Sequence, residues 1–433
     1  MKIVKPQTIA GVMELLPKDQ LVFDKIKNTI EKTFLSYQFL PIDTPAIEKN
    51  DILFAKGGGE TEKQIFSIDS SKKDTSLRFD LTVPLARYVA EHFSDLNFPF
   101  KRYQIGKVYR GERNQRGRYK EFYQCDIDII GNNSLSIHND ALLPKVIYDI
   151  FQKLNFKGIR FHINNRKLLN GFFESLDIKN TEEVLRAIDK KVKIGDVKTR
   201  KLLDDLIGYE KSQKILDLIN NNKYNEETLK YLESLDLNDK YKNGVKELRE
   251  VYQYMVKFGI DDESIVIDLS ITRGLDYYTS TVYETFLEGY EEIGSVCSGG
   301  RYENLAGNFS KNSLPGVGLS IGLTRLFYQF QELGLVDEYR QDFTDCLVIP
   351  MDESLNFYAI DISNKLKDQG FKVDIYLEDG KFKKKMNYAD KTNVKKVIII
   401  GQEEYDKNLV SIKDMEKGKQ VSVEIDKISE YLK

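Results

Sequence analysis

Residues 101–131, KRYQIGKVYRGERNQRGRYKEFYQCDIDIIG, set the tightest local constraint on what this chain can fold into. Two runs with strand-like content, 101–110 and 120–130, flank a polar, glycine-containing tip at 111–119. That pattern predicts a β-hairpin with a long loop. Between 101 and 124 there are eight Lys/Arg and two Glu, a local balance of +6 in a chain whose net charge is −3. Arginine concentrated in so short a span points to phosphate recognition, because the guanidinium fork matches phosphate oxygens. The competing interpretation is a basic hairpin that is merely solvated. On the return strand Gln124, Asp126 and Asp128 share one face, opposite Tyr123, Cys125, Ile127 and Ile129, so the polar face is either wet or lines a pocket.

The rest of the chain must accommodate that hairpin. At 433 residues it is too long for one core and predicts two to four domains. No run approaches 18 consecutive apolar residues, and the first residues lack the apolar core of a signal peptide, which predicts a cytosolic protein with no membrane partner. Cys125, Cys297 and Cys346 are far apart, without CxxC spacing, so neither a disulfide framework nor a zinc cluster is indicated. His92, His138 and His162 are not at metal-ligand spacing and are expected to be structural. A slightly acidic total does not exclude nucleic acid, because phosphate binding follows local clusters of basic residues.

Apolar residues at Leu21, Val22, Ile26, Ile30, Phe34 and Leu35 give a helical stripe over 19–37. Pro41 and Pro45 bracket an extended run, and the glycines at 57–59 precede a predicted strand at 64–68. In 75–90, TSLRFDLTVPLARYVA, an extended reading puts Arg78, Asp80 and Thr82 on one face, and Pro84 then opens a helix in its first turn. A carboxylate and a hydroxyl two residues apart suit a protonated amine. A helix over 139–154 and a strand over 159–164 follow. Residues 179–260 read as short amphipathic helices without chemical groups in constellation, a helical insertion whose last helix could belong to the core. After a strand at 264–269, Arg273, Asp276, Tyr277 and Tyr278 crowd together, and CSGGRYENL and LPGVGLSIGLTRLFYQF supply glycine-rich runs. The second leads into a helix carrying Arg325, an arrangement that could hold a nucleotide. Residues 334–342 read as a linker. Beyond it strands and helices alternate (346–350, 355–369, 372–377, 381–391, 395–400), predicting a small α/β domain, with two more strands near 409–413 and 420–424 and a closing helix at 427–433.

Taken together these stretches resemble the histidyl-tRNA synthetases over nearly the whole chain. IDTPAIE is similar to motif 1 of class II synthetases, YRGERNQRGRYKEFYQCDIDIIG to motif 2 and GLSIGLTRL to motif 3. Motifs 2 and 3 give only the class, whereas RGLDYYTSTVYE resembles the signature of the histidine branch, with DLTVP and GGRY adding to it. The resemblance implies an α+β fold: an antiparallel sheet flanked by helices, a helical insertion and a C-terminal α/β anticodon-binding domain. The expected division is a core in two parts, 1–178 and 261–333, an insertion at 179–260 and an anticodon-binding domain at 343–433. It implies that L-histidine and ATP give histidyl-adenylate and pyrophosphate, and that histidine then passes to the 3′ end of tRNA(His).

Carried over by position, Asp80, Thr82 and Gln124 would hold the α-amino group of histidine, with Leu81 beside them. Asp128 and Tyr278 would address the two ring nitrogens, and Tyr277 would line the pocket. Arg110 and Arg273 would contact the α-phosphate as catalytic residues, and both would also count among the residues that bind histidine and ATP. Arg325 would reach the triphosphate end and adenine, and Glu112 and Arg118 would help place ATP. Mg²⁺ is expected with ATP, without a dedicated protein cage, and a homodimer through motif 1. Many bacterial members carry Glu where Asp128 stands, and parity alone does not choose between Asp126 and Asp128. The competing assignment is a silent relative, the synthetase-like regulatory subunit of ATP phosphoribosyltransferase. Arg110, Arg273, Arg325 and the α/β tail favour the enzyme.

Overall fold

The computed structural model describes residues 3–55, 64–69, 74–111, 116–156, 158–221, 224–274, 277–339 and 343–432. They divide into two compact units, Met1–Tyr339 and Arg340–Lys433. In the first, ten strands run in chain order: β1 (Leu40–Pro41), β2 (Ile47–Lys49), β3 (Thr75–Leu77), β4 (Phe100–Tyr109), β5 (Glu121–Ile130), β6 (Ile159–Asn165), β7 (Ile265–Ile267), β8 (Thr281–Leu287), β9 (Cys297–Tyr302) and β10 (Gly316–Gly322). Eight of them form one sheet in the order β1-β4-β5-β10-β9-β8-β6-β7. The expected antiparallel sheet is present, with one parallel pair at each edge, β1 with β4 and β6 with β7.

The expected hairpin is β4–β5, which runs in unbroken antiparallel register from Phe100 opposite Ile130 to Tyr109 opposite Glu121. Because side chains alternate, β5 sends Cys125, Ile127 and Ile129 into the main core, together with the helices Pro17–Ser36, Asn139–Lys153 and Leu323–Glu332. Its other face carries Gln124, Asp126 and Asp128. A second apolar cluster, including Leu85, Val89, Phe100, Ile130 and Tyr302, closes one end of that face.

Three local expectations change. Residues 64–68 form no regular strand: Ser67 makes an isolated bridge to Ser76, and β3 pairs with β2. Residues 75–90 are not extended through Thr82, because a helix begins there and runs Thr82–Glu91. Asp80 Oδ1 accepts from the amides of Thr82 at 3.1 Å and Val83 at 3.0 Å, which satisfies two of the donors a helix start leaves open. Residues 334–342 are not wholly linker, since a short helix, Val336–Tyr339, buries Val336 in the core. The glycine run at 57–59 lies outside the described residues.

In the 179–260 stretch the helix Asp239–Lys257 packs on Arg166–Ser175 and Asn139–Lys153 of the core. The second unit holds β11 (Cys346–Pro350), β12 (Val373–Ile375), β13 (Lys396–Ile400), β14 (Leu409–Asp414) and β15 (Gln420–Glu424) in the order β12-β11-β13-β14-β15. β11 is parallel to β12 and to β13, as βαβ units require. It is apolar on both faces because helices cover both: Cys346 and Val348 enter one cluster, Leu347 and Ile349 the other.

Candidate active site

Two adjoining cavities open on the polar face of the large sheet. The larger, about 210 Å³, is bordered by Arg110, Arg118, Arg273 and Arg325. The smaller, about 30 Å³, is bordered by Thr82, Asp126, Asp128, Tyr277, Tyr278 and Tyr302. Ser298 and Ser320 line both, so the two are neighbours. One is built for an anion, the other offers carboxylates and phenols.

The four arginines come from separate elements. Arg110 follows β4, and its guanidinium lies 4.4 Å from the Phe79 ring centroid and 5.1 Å from that of Phe122, while Nε donates to Phe79 O at 3.2 Å. Stacking and one backbone bond hold the planar fork. Arg325 sits on the helix Leu323–Glu332, and Nη1 donates to Ser295 O at 3.2 Å. Arg273 lies after β7, on backbone whose Thr272 and Arg273 carbonyls accept from Arg166 Nη2 at 2.9 and 3.0 Å. Its Nε is 2.7 Å from Glu284 Oε1 and 3.6 Å from Asp189 Oδ1. The structure thus gathers Arg110, Arg118, Arg273 and Arg325, as expected. Glu112 lies outside the described residues, as does Asp276.

Around the smaller cavity, every acidic group is buried. Asp80 is 7% exposed, and burial pushes its carboxyl up, partly offset by the helix amides, Arg110 and a hydrogen bond from Tyr277. Gln124 Nε2 donates to Ser320 Oγ at 2.9 Å, and Ser320 bonds in turn to Asp126. Asp128 Oδ2 lies 2.5 Å from Nη2 of Arg102, and Tyr302 Oη donates to Asp128 Oδ1 at 3.1 Å. Burial also raises the Asp128 carboxyl, with Arg102 and Tyr302 pulling it back. Tyr278 is raised by burial and by Asp128 and Asp126 nearby, so it remains a hydroxyl donor.

Two glycines make this crowding feasible by close approach. A Cβ on Gly318 would stand 2.1 Å from Asp128 Oδ1, and one on Gly300 would stand 2.7 Å from the Tyr278 ring. The glycine-rich runs therefore serve the pocket walls as much as any nucleotide.

The sequence gives no site role to Arg102, Tyr302 or Ser320. Arg102 is fully buried, and its Nε, Nη1 and Nη2 find no hydrogen-bond partner among the described residues, so the ion pair of Nη2 with Asp128 is its main compensation. The signal that could have found it is register: Arg102 pairs with Asp128 across β4–β5, which turns it inward with the carboxylates. His162, expected to be structural, pairs with Asp268 at 2.8 Å, and His138 stacks on Tyr254. All three cysteines are buried and free.

Asp126 gives a pH test. Burial, outweighing Arg102, pushes its carboxyl up from the usual range to about 7, and Oδ1 has no hydrogen-bond partner among the described residues. The folded protein then keeps a proton that the unfolded chain loses near pH 4, so stability falls as pH rises toward about 7. Asp126→Asn, neutral throughout, is expected to gain stability relative to the parent between roughly pH 5 and pH 8. Denaturant unfolding of the ligand-free proteins at both pH values checks it; parallel pH dependences would refute a raised Asp126.

Comparison with known proteins bears on the family of the chain. The family model for histidyl-tRNA synthetase matches residues 11–326, and that for an anticodon binding domain matches 345–433. A histidine–tRNA ligase from Clostridium tetani is 53% identical, covering 100% of this chain and 99% of its own. The crystal structure of histidyl-tRNA synthetase from Nostoc sp. PCC 7120 superposes with a TM-score of 0.89 at 36% identity, covering 99% of each chain. A structure described as an ATP phosphoribosyltransferase regulatory subunit/histidyl-tRNA synthetase from Bacillus halodurans C reaches a TM-score of 0.76 at 19% identity, over 92% of this chain and 99% of that one. That last likeness concerns the fold alone. Matched along both units and over its full length, the chain belongs to the histidyl-tRNA synthetase family.

Proposed function

We propose that the two adjoining cavities are the ATP and histidine sites of a histidine–tRNA ligase. The observation that carries this reading is the separation of charge: four arginines on one side, buried carboxylates and tyrosines on the other, with Ser298 and Ser320 between. The histidine carboxylate would lie at that junction and attack the α-phosphorus of ATP. Negative charge then builds on the phosphate oxygens, and arginines already fixed in place stabilise it with little reorganisation. Arg110 and Arg273 take the α-phosphate, Arg325 the triphosphate end and adenine, and Arg118 with Glu112 assists in placing ATP. Two arginines from separate segments also offset repulsion between the carboxylate and the triphosphate.

Asp80, Thr82 and Gln124 hold the α-amino group, with Leu81 and Tyr277 completing the wall. Neutral imidazole offers one donor and one acceptor, so the Asp128 carboxylate and the Tyr278 hydroxyl together read both nitrogens. Ligands without that pattern leave buried polar groups unpaired and are rejected. Among the described residues no group of three acidic, histidine or cysteine side chains is suited to a metal ion. Mg²⁺ would arrive on the triphosphate, where it neutralises phosphate charge.

Residues 1–178 and 261–333 make the catalytic core, 179–260 the insertion and 343–433 the part that meets the anticodon of tRNA(His). The protein works in the cytoplasm as a homodimer through the motif 1 segment, and exposed Ile47 within that segment and Leu40 beside it support the dimer. No helix among the described residues is long and apolar enough to cross a membrane.

The test is exchange of labelled pyrophosphate into ATP by the purified protein. Exchange is expected only with histidine, followed by charging when tRNA is added. Absence of exchange with histidine, or equal exchange with tyrosine or phenylalanine, overturns the reading.

A further inference from the structure

Arg273 reaches the larger cavity on a long side chain that is 44% exposed. Left to itself such a side chain samples many rotamers, and three other arginines around the same cavity repel it. Two carboxylates restrain it from outside the cavity, and neither borders the space a ligand would fill. Glu284 lies on β8, between His162 of β6 and Ser298 of β9 in the sheet register. Asp189 ends the helix Thr181–Asp189 in the 179–260 stretch. They reach one guanidinium from different parts of the chain.

The Glu284 side chain is 7% exposed, a placement that is costly for an acid without a cation. Burial pushes its carboxyl up and Arg273 pulls it back. Oε1 has no hydrogen-bond partner among the described residues, so its contact with Arg273 is one of charge. Asp189, a third exposed, adds a weaker second hold.

We propose that Glu284 and Asp189 are positioning residues that aim the Arg273 guanidinium into the larger cavity, so that the helical stretch 179–260 takes part in setting the catalytic arginine. This rests on the reading of that cavity as the site of attack on the α-phosphate. Glu284 and Asp189 touch no substrate and act only through Arg273. Displacement of the helix Thr181–Asp189 withdraws one of the two restraints.

The experiment uses the full chain and compares histidine-dependent pyrophosphate exchange, with single-turnover adenylate formation for slow variants. Glu284→Ala is expected to lower kcat by about 100-fold, the scale of a catalytic group misplaced by an ångström, with a much smaller change in the KM for histidine. Glu284→Gln recovers part of the rate, since it keeps the size and shape of the side chain packed against Arg273 while removing its charge. Asp189→Asn loses only a few-fold because solvent screens it.

The deciding measurement is the double variant. In an Arg273→Ala background, adding Glu284→Gln or Glu284→Ala is expected to change the rate by less than about twofold. Thermal unfolding is recorded for each, and the glutamine variant carries the test if the alanine variant does not fold. Exchange present in the parent but unchanged in Glu284→Gln and Glu284→Ala, or further loss in the Arg273→Ala background, overturns the positioning role alone. No histidine-dependent exchange in the parent overturns the underlying reading of the site as well.

Discussion

Arg273→Ala is expected to lower the rate of adenylate formation by about 10²–10³, the cost of removing one preorganised donor aimed at developing charge. The KM for histidine should move far less, because Arg273 borders the arginine-lined cavity and not the one bordered by Asp126 and Asp128. A loss in kcat and in kcat/KM together is the mark of an interaction made in the transition state. The variant also leaves Glu284 buried without its cation, so some stability will be lost, and rates must be read well below the unfolding midpoint. Pre-steady-state measurement of adenylate checks the expectation. Unchanged activation kinetics would remove Arg273 from its role.

How much of this site is legible in the sequence depends on the range of each interaction. The hairpin is legible because alternation over β4 and β5 is local, and Gln124, Asp126 and Asp128 declare a polar face by parity alone. The alternating tail is legible for the same reason, strand period and helix period following one another over 346–400. Asp80 is half legible: its carboxyl two residues before Thr82 is a helix-start signal, yet an extended reading of the same residues places Thr82 beside it on a strand.

Arg102 and Glu284 are not legible. In the sequence Arg102 is one of eight cations in a basic run, and only cross-strand register turns it toward Asp128 instead of phosphate. Glu284 stands eleven residues beyond Arg273 in the chain, with nothing between them to say that β8 and the preceding loop bring the two charges together. The gathering of the arginines is legible only through family resemblance, since Arg110, Arg273 and Arg325 stand 163 and 52 positions apart in the chain and join through the sheet order.

Asp128→Asn is expected to have two large effects that can be separated. The first is on recognition. Losing a charged acceptor toward the imidazole costs about 1.5–3 kcal/mol, so the KM for histidine should rise by one to two orders of magnitude while that for ATP stays close to the parent value. The second is on stability. Arg102 is fully buried and would keep its charge while losing its 2.5 Å partner. Breaking a buried pair from one side costs about 3–5 kcal/mol, lessened here because Asp126 also feels the Arg102 charge. Removing both members is much less costly than removing one, so Arg102→Met added to Asp128→Asn should recover stability. It should not recover the KM for histidine, because the charged acceptor is still missing. Steady-state exchange kinetics and denaturant unfolding of the parent, the two single variants and the double variant make the comparison. If Asp126→Asn raises the KM for histidine more than Asp128→Asn does, the ring is read by the carboxylate with the open Oδ1, and Asp128 serves to hold Arg102 inside the sheet.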